Sequence, residues 1–309
     1  MSLRHSLFAV SALAASAALM GCHNDTLGGT SGTPAGPVET GDTVALSASG
    51  NVVTFNRGSL AKLVSDLPIT GLQSGERLIG IDVRPQDKLI YGVSNQGNLY
   101  TLDDSTGAVT LKFALSAGAA TTATCTGGAP GLFTGLSGSE FAFDFNPVAD
   151  RLRVASDTRQ DLRINVADGK VVVDCPITYT SGSAGTPKPT AAAYTPATTA
   201  TPPTTRLLYI DSGSDTLYAI DTSGTDTGTG AANNANNGII KPVGALGVDV
   251  GDINGFDIDS SGTGYGLFTV KNASNTDVTS FYRVDIATGA ATALVSFKAG
   301  ESLRGLALK

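Results

Sequence analysis

Large apolar residues along this chain come in short runs that alternate with small or polar ones, and Gly, Asp and Asn turns separate the runs. A period of two with such turns predicts β-strands. One phrase recurs: a small residue, an apolar residue, often Asp, an apolar residue; then an apolar run with Tyr; then a run ending in Asp before a Thr-Gly turn. Ile79-Gly80-Ile81-Asp82-Val83 leads to Leu89-Ile90-Tyr91-Gly92-Val93 and Asn98-Leu99-Tyr100-Thr101-Leu102-Asp103. Phe141-Ala142-Phe143-Asp144-Phe145 leads to Leu152-Arg153-Val154-Ala155 and Leu162-Arg163-Ile164-Asn165. A looser copy has Ala191 to Tyr194, Leu207 to Ile210 and Leu217 to Asp221, and a fourth has Asn254 to Ile258, Tyr265 to Phe268 and Phe281 to Asp285. The fifth is split: Arg304 to Leu308 is an inner strand at which the chain stops, while Thr43 to Leu46 and Asn51 to Phe55 lack one.

Repeated sheets of four strands predict an all-β fold, a five-bladed β-propeller whose ring closes by pairing N- and C-terminal strands over residues 43–309. A β-sandwich or a two-domain sheet protein is the alternative, and it leaves the split copy unexplained. Two stretches break the pattern and read as long surface loops: Thr180 to Thr205, rich in Thr, Pro, Ala and Gly, and Thr222 to Gly238, rich in Gly, Thr and Asn.

The first residues carry a different signal. Arg4 and His5 precede an apolar stretch from Leu7 to Met20, the length of an export signal and too short to span a bilayer. It ends in Leu19-Met20-Gly21-Cys22, which resembles the lipobox of bacterial lipoproteins. The resemblance implies a signal peptide over 1–21, a lipid on Cys22 and attachment to a membrane through that lipid. His23 in place of Asp points to the outer membrane rather than the inner. Residues 22–42, poor in large apolar side chains, read as a flexible tether.

Composition narrows the function. Of 309 residues 41% are hydrophobic and 15% charged, which excludes a charge-rich disordered chain and a coiled coil. A net charge of −7 argues against nucleic acid as a partner. With Cys22 assigned to lipid, Cys125 and Cys175 remain, and an exported chain favours a disulfide between them over a metal pair or redox couple. The only histidines are His5 and His23, so His-based zinc sites and Ser-His-Asp or Cys-His catalysis are absent from the repeats. No Trp is present, which weighs against a sugar-processing cleft.

The run Phe143-Asp144-Phe145-Asn146-Pro147, Asp150-Arg151-Leu152-Arg153-Val154, Leu162-Arg163-Ile164-Asn165 and Asp168-Gly169 resembles the signature of bacterial domain-of-unknown-function family 4394. Val243 to Val248 and Arg304 to Ala307 resemble its other repeated phrases. The resemblance implies an exported propeller-like domain and brings no catalytic residues.

Candidate chemistry rests on two groups. Asp82, Asp144 and Asp257 share one place in three inner strands and converge in a ring; they are candidate channel carboxylates that clamp a neighbouring blade, hold calcium, or, as a pair, act as acid and base. Asp257-x-Asp259-x-Ser261-Gly262 begins like a calcium loop, but its twelfth position is Phe268, so it reads as a hairpin turn. In the second copy Arg153 stands where other copies have Ile90 and Leu208, and Arg163 where they have Tyr100, Tyr218 and Tyr282. Either Asp144, Asp157 or Asp161 pairs with them internally, or Arg153 and Arg163 form a candidate anion-binding patch. The expectation is a lipid-anchored binding or scaffold module for an envelope protein or a small anionic ligand, with no cofactor. An Asp-based hydrolase of saccharides or phosphoesters, with or without calcium, and a purely structural surface lipoprotein are the alternatives.

Overall fold

The computed structural model describes residues 37–60, 62–125, 129–224, 233–298 and 302–309. The signal segment 1–21, Cys22 and the tether up to residue 36 lie outside the described residues. The last six tether residues, 37–42, are hydrogen-bonded to the folded domain: the Val38 amide donates to the Ser105 carbonyl at 2.9 Å, and the Gly41 amide to Thr54 Oγ1 at 2.9 Å.

The chain enters with β1 (Thr43–Ser47), β2 (Asn51–Phe55) and β3 (Ser65–Pro68). The first complete blade is β4 (Leu78–Val83), β5 (Ile90–Ser94), β6 (Asn98–Asp103) and β7 (Ala108–Ala114). After β8 (Ser116–Ala117) the second blade runs β9 (Phe141–Asn146), β10 (Arg151–Ser156), β11 (Asp161–Asn165) and β12 (Lys170–Val173). After β13 (Thr178–Tyr179) the third has β14 (Pro189–Tyr194), β15 (Leu207–Asp211), β16 (Thr216–Ile220) and, past a 3₁₀ turn at Ala235–Asn237, β17 (Ile239–Ala245). The fourth is β18 (Asn254–Ile258), β19 (Gly264–Lys271), β20 (Asp277–Val284) and β21 (Ala291–Ser296). β22 (Leu303–Leu308) then pairs antiparallel with β1, Thr43 opposite Leu308, giving a closing blade ordered β22-β1-β2-β3. Inner strands β4, β9, β14, β18 and β22 touch in that order and β22 touches β4, so the five sheets form a ring. The fold is the five-bladed propeller that the split fifth copy predicts.

Small residues let the inner strands converge. A Cβ at Gly80 would stand 1.8 Å from the Phe143 ring, and one at Gly255 2.7 Å from the Gly305 carbonyl carbon. Ile81, Phe143, Phe256 and Leu306 fill the middle of the channel, leaving ≈ 10 Å³. That is no more than about one water. Apolar clusters occupy the seams between neighbouring blades. Tyr91, Val93 and Leu99 meet Phe145, Leu152 and Leu162 between the first and second blades, for example, and Phe55 and Val53 meet Leu267 and Phe281 between the closing and fourth. Phe55 and Phe281 pack edge to face at 5.1 Å between ring centroids.

Two features depart from the sequence pattern. Residues 180–205 are not one surface loop, because β14 runs through them and is buried at all six positions; its Thr-Ala-Ala-Ala run packs as an inner strand despite a loop-like composition. The second and third blades also have five strands each, not four. The chain leaving one blade's outer strand pairs in parallel with the outer strand of the next, β8 on β12 and β13 on β17. Two residues are too few to show an alternation. Among the described residues no helix is long and apolar enough to cross a membrane.

Candidate functional site

Asp82 sits one residue, Asp144 two residues and Asp257 one residue before the ends of their inner-strand hairpin pairings, and the ring brings them together. They are 4%, 5% and 8% exposed, with carboxylate oxygens within 4.8 Å of one another. Each reaches the next blade's backbone. Asp82 Oδ2 accepts from the Phe145 amide at 2.6 Å and Oδ1 from Val83 at 2.7 Å. Asp257 Oδ2 accepts from the Leu308 amide at 2.8 Å and Oδ1 from Ile258 at 2.6 Å, while Asp144 accepts from the Tyr194 amide. Burial, then the Asp257 charge, pushes Asp82 well above the usual carboxylate range; burial, then the Asp82 and Asp257 charges, does the same to Asp144. Burial raises Asp257 to about 7 against the two amides that favour its charge. The three line a cavity of ≈ 380 Å³ rimmed by Arg57, Lys88 and Lys309. Three carboxylates this close can hold one cation, but as they stand they are inter-blade clamps whose protonated forms burial favours.

The seam between the second and third blades differs from the others. Cross-strand register sets Arg153 opposite Asp144, as Tyr91 is opposite Asp82, Tyr265 opposite Asp257 and Leu208 opposite Ala193. Arg163, opposite Arg153, takes the place of Thr101, Arg283 and Ala219. The sequence alignment to Leu208 holds, but those to Ile90, Tyr100, Tyr218 and Tyr282 are one residue out. A one-residue slip exchanges the two faces of a strand, and Ile90 packs toward the closing blade while Tyr91 packs toward the second.

Arg153 is 1% exposed and engaged on every side. Its Nη1 donates to Asp161 Oδ1 at 2.8 Å and Asp174 Oδ2 at 2.7 Å, Nε to the Tyr194 hydroxyl at 3.2 Å and Nη2 to Asn236 Oδ1 at 3.2 Å. Arg163 forks onto Asp174, Nε at 2.6 Å and Nη2 at 2.8 Å. Asp174, fully buried, also accepts from Thr121 Oγ1 at 3.0 Å. Asp161 pairs with Arg153, whereas Asp144 and Asp157 make no ion pair with it. Burial raises the Asp161 carboxyl to about 7 against the pull of Arg153, with the Asp174 charge adding to the rise. Its Oδ2 and the Tyr209 hydroxyl, both buried, have no hydrogen-bond partner among the described residues.

Beside this network a second cavity of ≈ 380 Å³ is lined by four arginines, Arg151, Arg153, Arg163 and Arg206, with Asn146, Asn234, Asn236, Tyr194 and an apolar wall of Ala149, Leu207 and Ile220. Arg151 donates only to the carbonyls of Ala149 and Asp150, at 3.4 and 2.8 Å, and neither it nor Arg206 has an ion pair among the described residues. Sequence reasoning missed Asp174, Arg206 and Asn236; Asp174 stands next to Cys175, and Arg206 ends a Thr/Pro stretch, so neither falls in a repeated phrase.

Cys125 and Cys175 form a disulfide with Cα atoms 5.2 Å apart. It fastens the segment carrying Thr121 over Asp174, and the Cys175 amide donates to the Asn236 carbonyl at 3.1 Å. At the calcium-like run, Asp259 Oδ1 accepts from the Ser261 and Thr263 amides at 2.9 and 3.0 Å and Gly262 has φ 84°, the geometry of a hairpin turn.

A family model described as domain of unknown function DUF4394 matches residues 51–307. No curated protein matches the chain. Among solved structures it is similar to a protein of unknown function from Bacteroides thetaiotaomicron, at 16% identity and TM-score 0.44, over 86% of this chain and 61% of that one. A Bacteroides uniformis protein whose proposed activity is 6-phosphogluconolactonase has 11% identity and TM-score 0.41, over 84% and 82%. The Pan2 WD40 domain of Neurospora crassa has 12% identity and TM-score 0.38, over 83% and 64%.

Proposed function

The chain belongs to the DUF4394 family of domains of unknown function, and from that premise we propose that it is an exported propeller, anchored to the bacterial outer membrane by a lipid on Cys22, that binds a small anionic ligand. One observation carries the binding half: four arginines line a single cavity in a chain whose net charge is −7. Arginine forks suit carboxylate and phosphate oxygens. The anchoring half rests on the Leu19-Met20-Gly21-Cys22 run and the Gly/Thr/Pro tether behind it.

The Asp82, Asp144 and Asp257 cluster favours a second reading, a calcium-dependent hydrolase, since three carboxylates lie within 4.8 Å. Each of them, however, is engaged by a backbone amide of the next blade, and ionising all three would cost their raised pKa values. Binding without turnover is therefore the preferred function.

The test uses the full lipidated chain in detergent. Calorimetric titration with inorganic phosphate is expected to show saturable binding that Arg206→Gln weakens about tenfold or more. A flat titration rejects the anion site. Incorporation of labelled palmitate that Cys22→Ser abolishes is expected for the anchor, and labelling that survives the substitution rejects it.

A further inference from the structure

The proposed anion site has a charge count and a shape that narrow its ligand further. Among the four guanidinium groups, Arg153 and Arg163 are answered by Asp161 and Asp174, both fully buried. Arg151 and Arg206 are left with two positive charges and no carboxylate partner among the described residues. Arg151 is half-buried and Arg206 exposed; a monoanion answers one of the two charges, whereas a dianion answers both. The cavity of ≈ 380 Å³ equals roughly a dozen water volumes of about 30 Å³ each, more than one inorganic anion fills. Its far wall is apolar, formed by Leu207, Ile220 and Ala149, so the rest of the ligand meets carbon rather than charge.

We infer that the ligand is an organic dianion, a phosphomonoester or a dicarboxylate whose two charges face Arg151 and Arg206 and whose uncharged body lies on the Leu207 and Ile220 wall. This rests on the anion-binding reading and adds two requirements to it, the second charge and the body. Arg163 contributes as well, because its Nη1 is not used in the fork to Asp174 and its side chain is 28% exposed.

The experiment is calorimetric titration of the full chain in detergent, at fixed ionic strength, with acetate, inorganic phosphate, succinate, glucose 6-phosphate and glucose. Succinate or glucose 6-phosphate is expected to bind about tenfold or more tightly than both acetate and inorganic phosphate, with glucose not binding. Which of the two wins identifies the head group. Arg151→Gln and Arg206→Gln are each expected to remove the advantage over acetate while leaving the thermal melt unchanged, since neither residue has an ion pair to lose. Acetate within about tenfold of the best dianion overturns the charge count, and inorganic phosphate within the same range overturns the organic body. Either result leaves the anion site standing. If no anion binds, the reading beneath the inference fails with it.

Discussion

Asp174→Asn is the substitution on which the structure makes its sharpest demand. Asp174 has no exposed surface and takes three guanidinium N–H bonds, from Arg153 at 2.7 Å and from Arg163 at 2.6 and 2.8 Å. Hydrogen bonds to charged groups are each worth about 1.5–3 kcal/mol, which sums to roughly 4–9 kcal/mol as an upper bound. Arg163 is 28% exposed and recovers water when its partner goes, so most of its share drops out. Arg153 cannot, because its side chain is 2% exposed. A buried cation deprived of one of two carboxylates sets the expected loss at about 3–5 kcal/mol. Urea denaturation checks this as a fall in midpoint at unchanged m-value. Adding Arg153→Met to Asp174→Asn is expected to recover part of the loss, since the stranded charge is removed. Phosphate affinity is expected to move the other way in the single variant, because Arg163 is released toward the cavity. A stability loss below about 1 kcal/mol would refute the reasoning, for it would mean the seam is wet enough to solvate Arg153.

Three further outcomes follow from other parts of the molecule. The Asp257 carboxyl titrates at about 7 when folded and near 4 when unfolded, so the folded chain holds the extra proton between those values and stability falls as pH rises through them. Asp82, Asp144 and Asp161 are raised as well, so Asp257→Asn is expected to reduce, not abolish, the fall of the urea midpoint with pH from about 4 to 7; an unchanged slope would sink the assignment. Reducing Cys125–Cys175 is expected to cost about 2–4 kcal/mol of stability, measured by denaturation with and without dithiothreitol, whereas two titratable thiols in the untreated protein would contradict the bond. Gly80→Ala is expected to cost about 1–3 kcal/mol, since its Cβ would lie 1.8 Å from the Phe143 ring, and a neutral result in thermal denaturation would show that the ring yields freely.

The repeat was legible because each blade must bury two faces and turn tightly, which leaves period-two runs and Gly/Asp turns in the sequence. Closure was legible for the same reason, as β22 carries an inner-strand pattern and lacks a hairpin partner until β1 supplies one. Strand pairing within the second blade was not. Hairpin loops differ in length between copies, four residues between Asn146 and Arg151 but six between Val83 and Ile90, so similarity of composition slid the alignment of Arg153 onto Ile90 instead of Tyr91. The polar seam was half legible. Arg153, at a position that is Tyr91, Tyr265 or Leu208 in other blades, announces a buried charge, but Asp174 belongs to a non-repeating segment, and only the fold brings Asn236 and Arg206 to the same place.

The distribution of aspartates among the blades connects architecture to the site. The same inner-strand position is Asp82, Asp144 and Asp257 in three blades but Ala193 and Ala307 in the other two. Each carboxyl ties its strand to the following blade; burial raises all three, and the charges of their neighbours in the cluster push Asp82 and Asp144 further toward the protonated form. Five in one ring would multiply that penalty, so alanine at two positions relieves it. Of the three clamps, Asp144 has an added consequence. The strand it holds ends in Tyr194, whose amide meets Asp144 and whose hydroxyl meets Arg153. Tyr194 also lines both the carboxylate cavity and the arginine cavity, and the Asn146 to Arg151 hairpin supplies Pro147 to the first and Asn146, Ala149 and Arg151 to the second. A device that sets the spacing of blades elsewhere in the ring thus fixes, at this seam, one wall of the cavity in which the anion is expected.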